Sequence, residues 1–153
     1  MTGGWRRTAG LAGLLVIVGC GRDPGSGPIA VTWDRDTCER CQMVISDRAF
    51  AAQVRNAGGR VHLFDDIGCA ILWLDEHRLR QEPGEEEPRE IWVRSLSGED
   101  WLDARTAHYE SGHVSPMGYG YGARSVPSSG SLELGELRPS LRKLEDARRP
   151  AHR

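Results

Sequence analysis

The run Leu11–Gly19 is apolar and uncharged, follows Arg6-Arg7 and ends at Cys20, and it decides how much of the chain is available to fold. A helix that crosses a bilayer needs about 20 apolar residues, whereas the apolar part of an export signal needs roughly 7 to 15. The run belongs to the shorter class. Residues 1–19 therefore read as a signal peptide, with Arg6-Arg7 as its basic start rather than a twin-arginine motif. Ile17-Val18-Gly19-Cys20 resembles a bacterial lipobox with isoleucine in the usual leucine position, so cleavage would leave Cys20 as a lipid-bearing first residue. Each buried methylene contributes about 0.8 kcal/mol, and two or three acyl chains hold firmly where one does not. The expected location is the periplasmic face of a bacterial membrane, lipid-anchored. The outer membrane is favoured, because Gly21 lacks the aspartate that commonly retains lipoproteins at the inner one.

Residues 20–28 contain Gly, Pro, Ser and charge with almost nothing to bury, and they read as a flexible tether. The 153 residues then leave room for one domain of ordinary size. A formal net charge of -2 gives no field that would draw nucleic acid, so no nucleic-acid partner is expected.

Along the mature chain, Ile29–Trp33, Phe50–Val54, Arg60–Phe64 and Ile91–Leu96 have the β-branched and aromatic content of strands. Asn56-Ala-Gly-Gly59 is a turn signal that makes a hairpin of the second and third. Asp65-Asp66 suits a helix start, since a carboxylate there accepts free amide hydrogens and meets the positive end of the dipole. Ile67, Ala70, Ile71 and Leu74 then recur at helical spacing to about Glu76. Trp101–Ala104 and Thr106–Tyr109 are further extended segments, the latter closing the sheet. Ser115–Gly122 is a glycine-rich loop. The domain is expected over 29–126, and 127–153, with apolar repeats at Leu134, Leu137, Leu141 and Leu144, reads as a disordered or frayed helical tail.

Four cysteines are present, and with Cys20 lipidated the remaining three cannot all pair internally. Cys38 and Cys41 form a Cys-x-x-Cys pair with Met43 just beyond. Copper(I) fits that set best, because it is soft and favours thiolate and thioether. In an extended segment Cys41 and Met43 would share a face. A thiol-disulfide redox pair remains open, although no helix with apolar periodicity follows Cys41 as such sites require. Zinc remains open too, but a second matched pair is missing, and so does a structural disulfide.

Met117 is the second of two internal methionines and lies in a Pro-Met-Gly loop, where a core role has little reason. It is a candidate ligand. His113 and Cys69 are secondary candidates, the histidine from the same loop and the cysteine from the apolar helix. His62, opposite in phase to Val61 and Leu63, is expected at the surface, and Asp65 and Asp66 are expected to be capping residues. No Ser-His-Asp order, phosphate loop or carboxylate pair supports a hydrolase.

Taken in order, Cys38-x-x-Cys41-x-Met43, Phe64-Asp65-Asp66-Ile67-Gly68-Cys69 and Pro116-Met117-Gly118, behind a lipobox, resemble the NosL family, lipoproteins encoded with nitrous oxide reductase. The resemblance covers roughly Cys38 to Val126. It implies a periplasmic copper(I) chaperone serving the copper centres of nitrous oxide reductase or their maturation machinery. It implies Cys41, Met43 and Met117 as ligands, with Cys38 as an additional or substitute one. The implied fold is a small α+β domain of two ββα-type halves, antiparallel sheets covered by helices. Such a protein delivers metal and turns nothing over, so an enzyme is not expected. Gln42 stands where relatives commonly carry glycine, a local backbone change that removes no ligand.

Overall fold

The computed structural model describes residues 25–80 and 87–148. The expected signal peptide, Cys20 and the first tether residues lie outside the described residues, as do residues 81–86 and 149–153. None of the described helices is long and apolar enough to cross a membrane.

The expected hairpin is present. Strand β1 (Ala52–Arg55) pairs antiparallel with β2 (Val61–Phe64) in the register Ala52 to Phe64 and Arg55 to Val61. The turn closes through the Asn56 carboxamide, which accepts from the Arg60 amide at 2.9 Å, and through Gly59 at φ 89°. Helix α1 (Ile67–Arg80) follows at once. Strand β3 (Glu90–Arg94) returns to the other side of β1, and β4 (Trp101–Asp103) pairs with β3, giving the sheet order β2-β1-β3-β4. Strands β5 (His108–Glu110) and β6 (Gly122–Arg124) form a separate two-stranded sheet, and helix α2 (Leu134–Arg148) ends the described chain. Two ββα units, β1-β2-α1 and β5-β6-α2, are thus joined by β3-β4. This is the small α+β architecture expected.

Several expectations change. Within the expected tail 127–153, the described part to Arg148 is not loose, because α2 packs against α1 with Leu137 and Leu141 fully buried. Arg138 and Arg142 each meet Asp75 of α1 at 2.6 Å. At its start the Glu136 carboxylate reaches back to the Glu133 amide at 3.1 Å, half of a capping box. The folded unit therefore runs past 126 to Arg148. The tether is also docked from its last residues onward. The Gly27 amide donates to Glu90, and its carbonyl accepts from Arg55, both at 2.9 Å. Ile29–Trp33 is not a strand. The buried Gln53 carboxamide takes the place of a neighbouring strand, bonding both the amide and the carbonyl of Ile29 at 2.9 Å. Thr106–Tyr109 does not close the main sheet, since β5 pairs with β6 instead.

His62 is buried, contrary to its expected surface position. Its partner across the hairpin is Val54, and that register puts His62 and Phe64 on the face covered by α1, where both rings lie against Trp73. Period-two alternation defines two faces but not which of them meets the helix.

Candidate metal centre

The Cys38–Met43 segment is a closed turn. The Cys38 amide donates to the Met43 carbonyl at 2.8 Å, and the Gln42 amide to the Cys38 carbonyl at 3.0 Å. Gln42 has φ 63°, a left-handed conformation that favours glycine, and its side chain bonds the Glu39 carbonyl at 2.9 Å. The Glu39 amide donates to the Leu63 carbonyl at 2.8 Å, which tacks the turn onto the outer edge of β2. Cys38 and Cys41 are thereby held beside the β2-to-α1 junction, which supplies Asp65, and beside the first turn of α1, which supplies Cys69.

The three thiol sulfurs and a carboxylate oxygen of Asp65 all lie within 4.8 Å of one another. The cysteines are not disulfide-bonded. Cys38, Cys69 and Asp65 are buried, and Cys41 is half-buried, so the cluster touches solvent through Cys41. The Cys41 thiol donates to Asp65 Oδ2 at 3.3 Å, whereas the buried Asp65 Oδ1 has no hydrogen-bond partner. A buried carboxylate oxygen without a donor is costly, and a cation at the thiols would relieve that cost. Ligands about 2.3 Å from one metal stand roughly 3.7–4 Å apart, so the cluster needs only a small contraction to close on an ion.

The thiols are not equivalent. A hydrogen bond from Cys69 lowers Cys38 to about 7 against the opposing effect of burial. Burial pushes Cys41 up to about 12. Cys69 is raised further, chiefly as the donor to Cys38 and then by burial. Cys38 is the first to ionise, and its thiolate is the natural first ligand for a soft cation.

The two candidate methionines lie on the segments that flank this cluster, Met43 at the end of the cysteine turn and Met117 in the loop bonded to Asp66. Met43 is 49% exposed. The left-handed Gln42 turns the chain between Cys41 and Met43, so the two do not share a face of an extended segment as expected. Met117 packs half-buried against the core, and its loop reaches the same end of α1. Asp66 is the link. Its Oδ1 caps the helix by accepting from the Gly68 amide at 2.8 Å. Its Oδ2 accepts from Ser115 Oγ at 2.6 Å and from the Met117 amide at 3.4 Å. Burial raises its pKa in spite of these donors. His113 is not a member of the thiol cluster. Its ring lies against Phe50, with Nε2 3.5 Å from Glu110.

Asp66 is a cap as expected, but Asp65 is not, and its place among the thiols is the feature that sequence reasoning missed. The available signal was spacing. Asp65 and Cys69 are four apart at a helix start, and one cap needs only one of two adjacent carboxylates.

A comparison with known structures then adds the fold. The chain is similar to the crystal structure of the copper chaperone NosL from Shewanella denitrificans, with a TM-score of 0.53 and 15% identity. The match covers 79% of this chain and 89% of that one. The two share a fold. By sequence, no protein-family profile and no curated protein matches the chain.

Proposed function

We infer that this domain binds copper(I) through Cys38, Cys41 and Cys69, with Asp65 beside them and Met117 and Met43 completing or exchanging the sulfur set, and passes the ion to an acceptor. The observation that carries the reading is the convergence of three unpaired thiols from two separate segments onto one partly open point. Thiolates suit a soft monovalent cation. The half-buried Cys41 and the exposed Met43 give a partner's ligand a side from which to attack, as transfer by exchange requires. Likeness of fold to a copper chaperone and the ordered motifs support delivery to nitrous oxide reductase or its maturation machinery. The export signal supports a lipid anchor at Cys20 on the periplasmic face. The rival reading, a thiol-disulfide redox lipoprotein, fits less well. Cys38, the thiol nearest to ionising at neutral pH, is fully buried, and exchange needs a thiolate that can reach another protein's disulfide.

One observation favours a second metal. Three sulfurs and a carboxylate oxygen form a four-ligand set that zinc accepts readily. Anaerobic competition titration of the purified full chain against copper(I) and zinc chelators decides between them. For copper(I), each Cys→Ser change at 38, 41 or 69 should weaken binding by about tenfold or more, which corresponds to about 1.4 kcal/mol, while Asp65→Asn changes little. For zinc, Asp65→Asn should weaken binding as strongly as the cysteine changes do. Copper(I) affinity no higher than that of a variant lacking all three thiols overturns the copper reading.

A further inference from the structure

Arg40 sits inside Cys38-x-x-Cys41, yet its guanidinium is almost fully bonded to groups of α1, α2 and the Met117 loop. Nε and Nη2 donate to Glu76 of α1 at 3.1 and 2.9 Å, and Nη2 also donates to Glu145 of α2 at 2.7 Å. Nη1 donates to the Tyr119 hydroxyl at 3.0 Å. That hydroxyl in turn donates to the second oxygen of Glu145 at 2.9 Å. Tyr119 belongs to the Met117 loop. Arg148, one turn further along α2, donates to the consecutive carbonyls of Met117 and Gly118 at 2.8 and 2.6 Å and lies over the Tyr119 ring at 4.6 Å.

We propose that Arg40, Tyr119, Glu145 and Arg148 form a latch by which the last turn of α2 positions Met117 at the thiol cluster, so that this helix end governs how firmly the ion is held. The proposal rests on the reading of Met117 as a ligand. The main chain of Met117 is clamped from both sides, its amide by Asp66 and its carbonyl by Arg148. The clamp is separable from the fold. Helix α2 is held one to two turns earlier by buried Leu137 and Leu141 and by the Asp75 ion pairs. Gly118 and Gly120 flank Tyr119 at φ 66° and 78°, so both ends of that residue have backbone that pivots easily. Charge-assisted bonds to an exposed arginine are firm enough to hold a loop and weak enough to break when a partner competes for Arg148 or Glu145. Because Arg40 is part of the cysteine turn, the same circuit registers the Cys38–Cys41 turn against the methionine loop.

A double-mutant cycle on the full chain tests this. Tyr119→Phe keeps the ring and removes only the hydroxyl, and Arg148→Gln removes the clamp. Each should weaken copper(I) binding about fivefold and speed its transfer to a chelator in the presence of Met117, with no effect in a Met117→Leu background. The Met117 methyl resonance, followed in methyl-labelled protein, should broaden or split in both variants. Equal weakening in both backgrounds indicates a general structural role and overturns the latch. So do unchanged affinity and an unchanged methyl signal beside a weakened Met117→Leu, which leave the ligand reading standing. Unchanged affinity in Met117→Leu itself overturns the ligand reading, and the latch with it.

Discussion

Gly68→Ala is the substitution on which the packing of the site can be tested most sharply. A Cβ at this second residue of α1 would lie 2.2 Å from Tyr119 Cδ2 and 2.5 Å from Cγ. To reach the ~3.5 Å at which carbon atoms attract, the ring would have to retreat by roughly 1 Å or more. It has little freedom to do so. Tyr119 is 4% exposed, its hydroxyl is bound to Arg40 and Glu145, and Arg148 covers its face. Overpacking of this kind costs about 1–3 kcal/mol. The opposing gain is helix propensity, about 1 kcal/mol for glycine to alanine in a helix interior. It should be smaller here, because the Gly68 amide is bonded to the Asp66 cap rather than to a preceding turn. The clash wins. A net loss of about 1–2 kcal/mol is expected, seen as a midpoint lower by roughly 3–8 °C in a thermal melt followed by near-ultraviolet circular dichroism. Copper(I) affinity should fall as well, since the ring and Met117 move together. An alanine variant as stable as the parent, or more stable, would refute the close approach of the methionine loop to α1.

Asp75 is held below the usual carboxylate range because the bonds to Arg142 and Arg138 outweigh the burial that would raise it. Its contribution to stability is therefore complete above about pH 3.9 and is lost as the pH falls through its lower folded value. Asp75→Asn should cost about 1 kcal/mol at neutral pH and flatten the acid limb of a urea-unfolding series, and an unchanged acid limb would count against the ion pairs. Gln42→Gly relieves a left-handed strain of about 1–2 kcal/mol at an unfolded-state cost of about 0.4–1 kcal/mol. Chemical denaturation should show a gain of a few tenths to 1 kcal/mol with copper binding retained; a clear loss would mean that the Gln42 side-chain bond matters more than its backbone. Cys20→Ala should release the protein from the membrane fraction or leave it unprocessed, and wild-type protein found soluble with an unmodified Cys20 would remove the anchor.

What the sequence made legible was local. The hairpin followed from a turn signal between two β-rich runs, and α1 from apolar recurrence behind two aspartates. The cysteine turn and the methionine loop stood out because their chemistry is rare in this composition. What stayed hidden was set by contacts between distant segments. Helix α2 has a leucine every three or four residues, but what Leu137 and Leu141 bury against, and the Asp75 ion pairs beside them, are contacts with distant segments that no local pattern reports. Burial of His62 depended on which face of β2 meets Trp73. Asp65 looked like half of a cap, and its turn toward the sulfurs becomes visible only once Cys38 and Cys41 are folded back over β2. Even the left-handed conformation of Gln42, which breaks the shared face of Cys41 and Met43, is not signalled by its residue type.

If Cys20 is lipidated as proposed, the docking of Gly27 on Arg55 and Glu90 sets the length of the leash. With lipid on Cys20, the chain from there to Gly27 reaches at most about 25 Å when fully extended. Its point of attachment lies at the Arg55 end of β1, on the sheet face turned away from α1, whereas the thiols lie beyond the Phe64 end of β2, beside the start of that helix. A domain moored in this way would stay within about 25 Å of the bilayer, with its thiols at the end away from the point of attachment. An acceptor would then have to come to it from the aqueous side, and lengthening the leash would change how often the two meet without altering how tightly the ion is held.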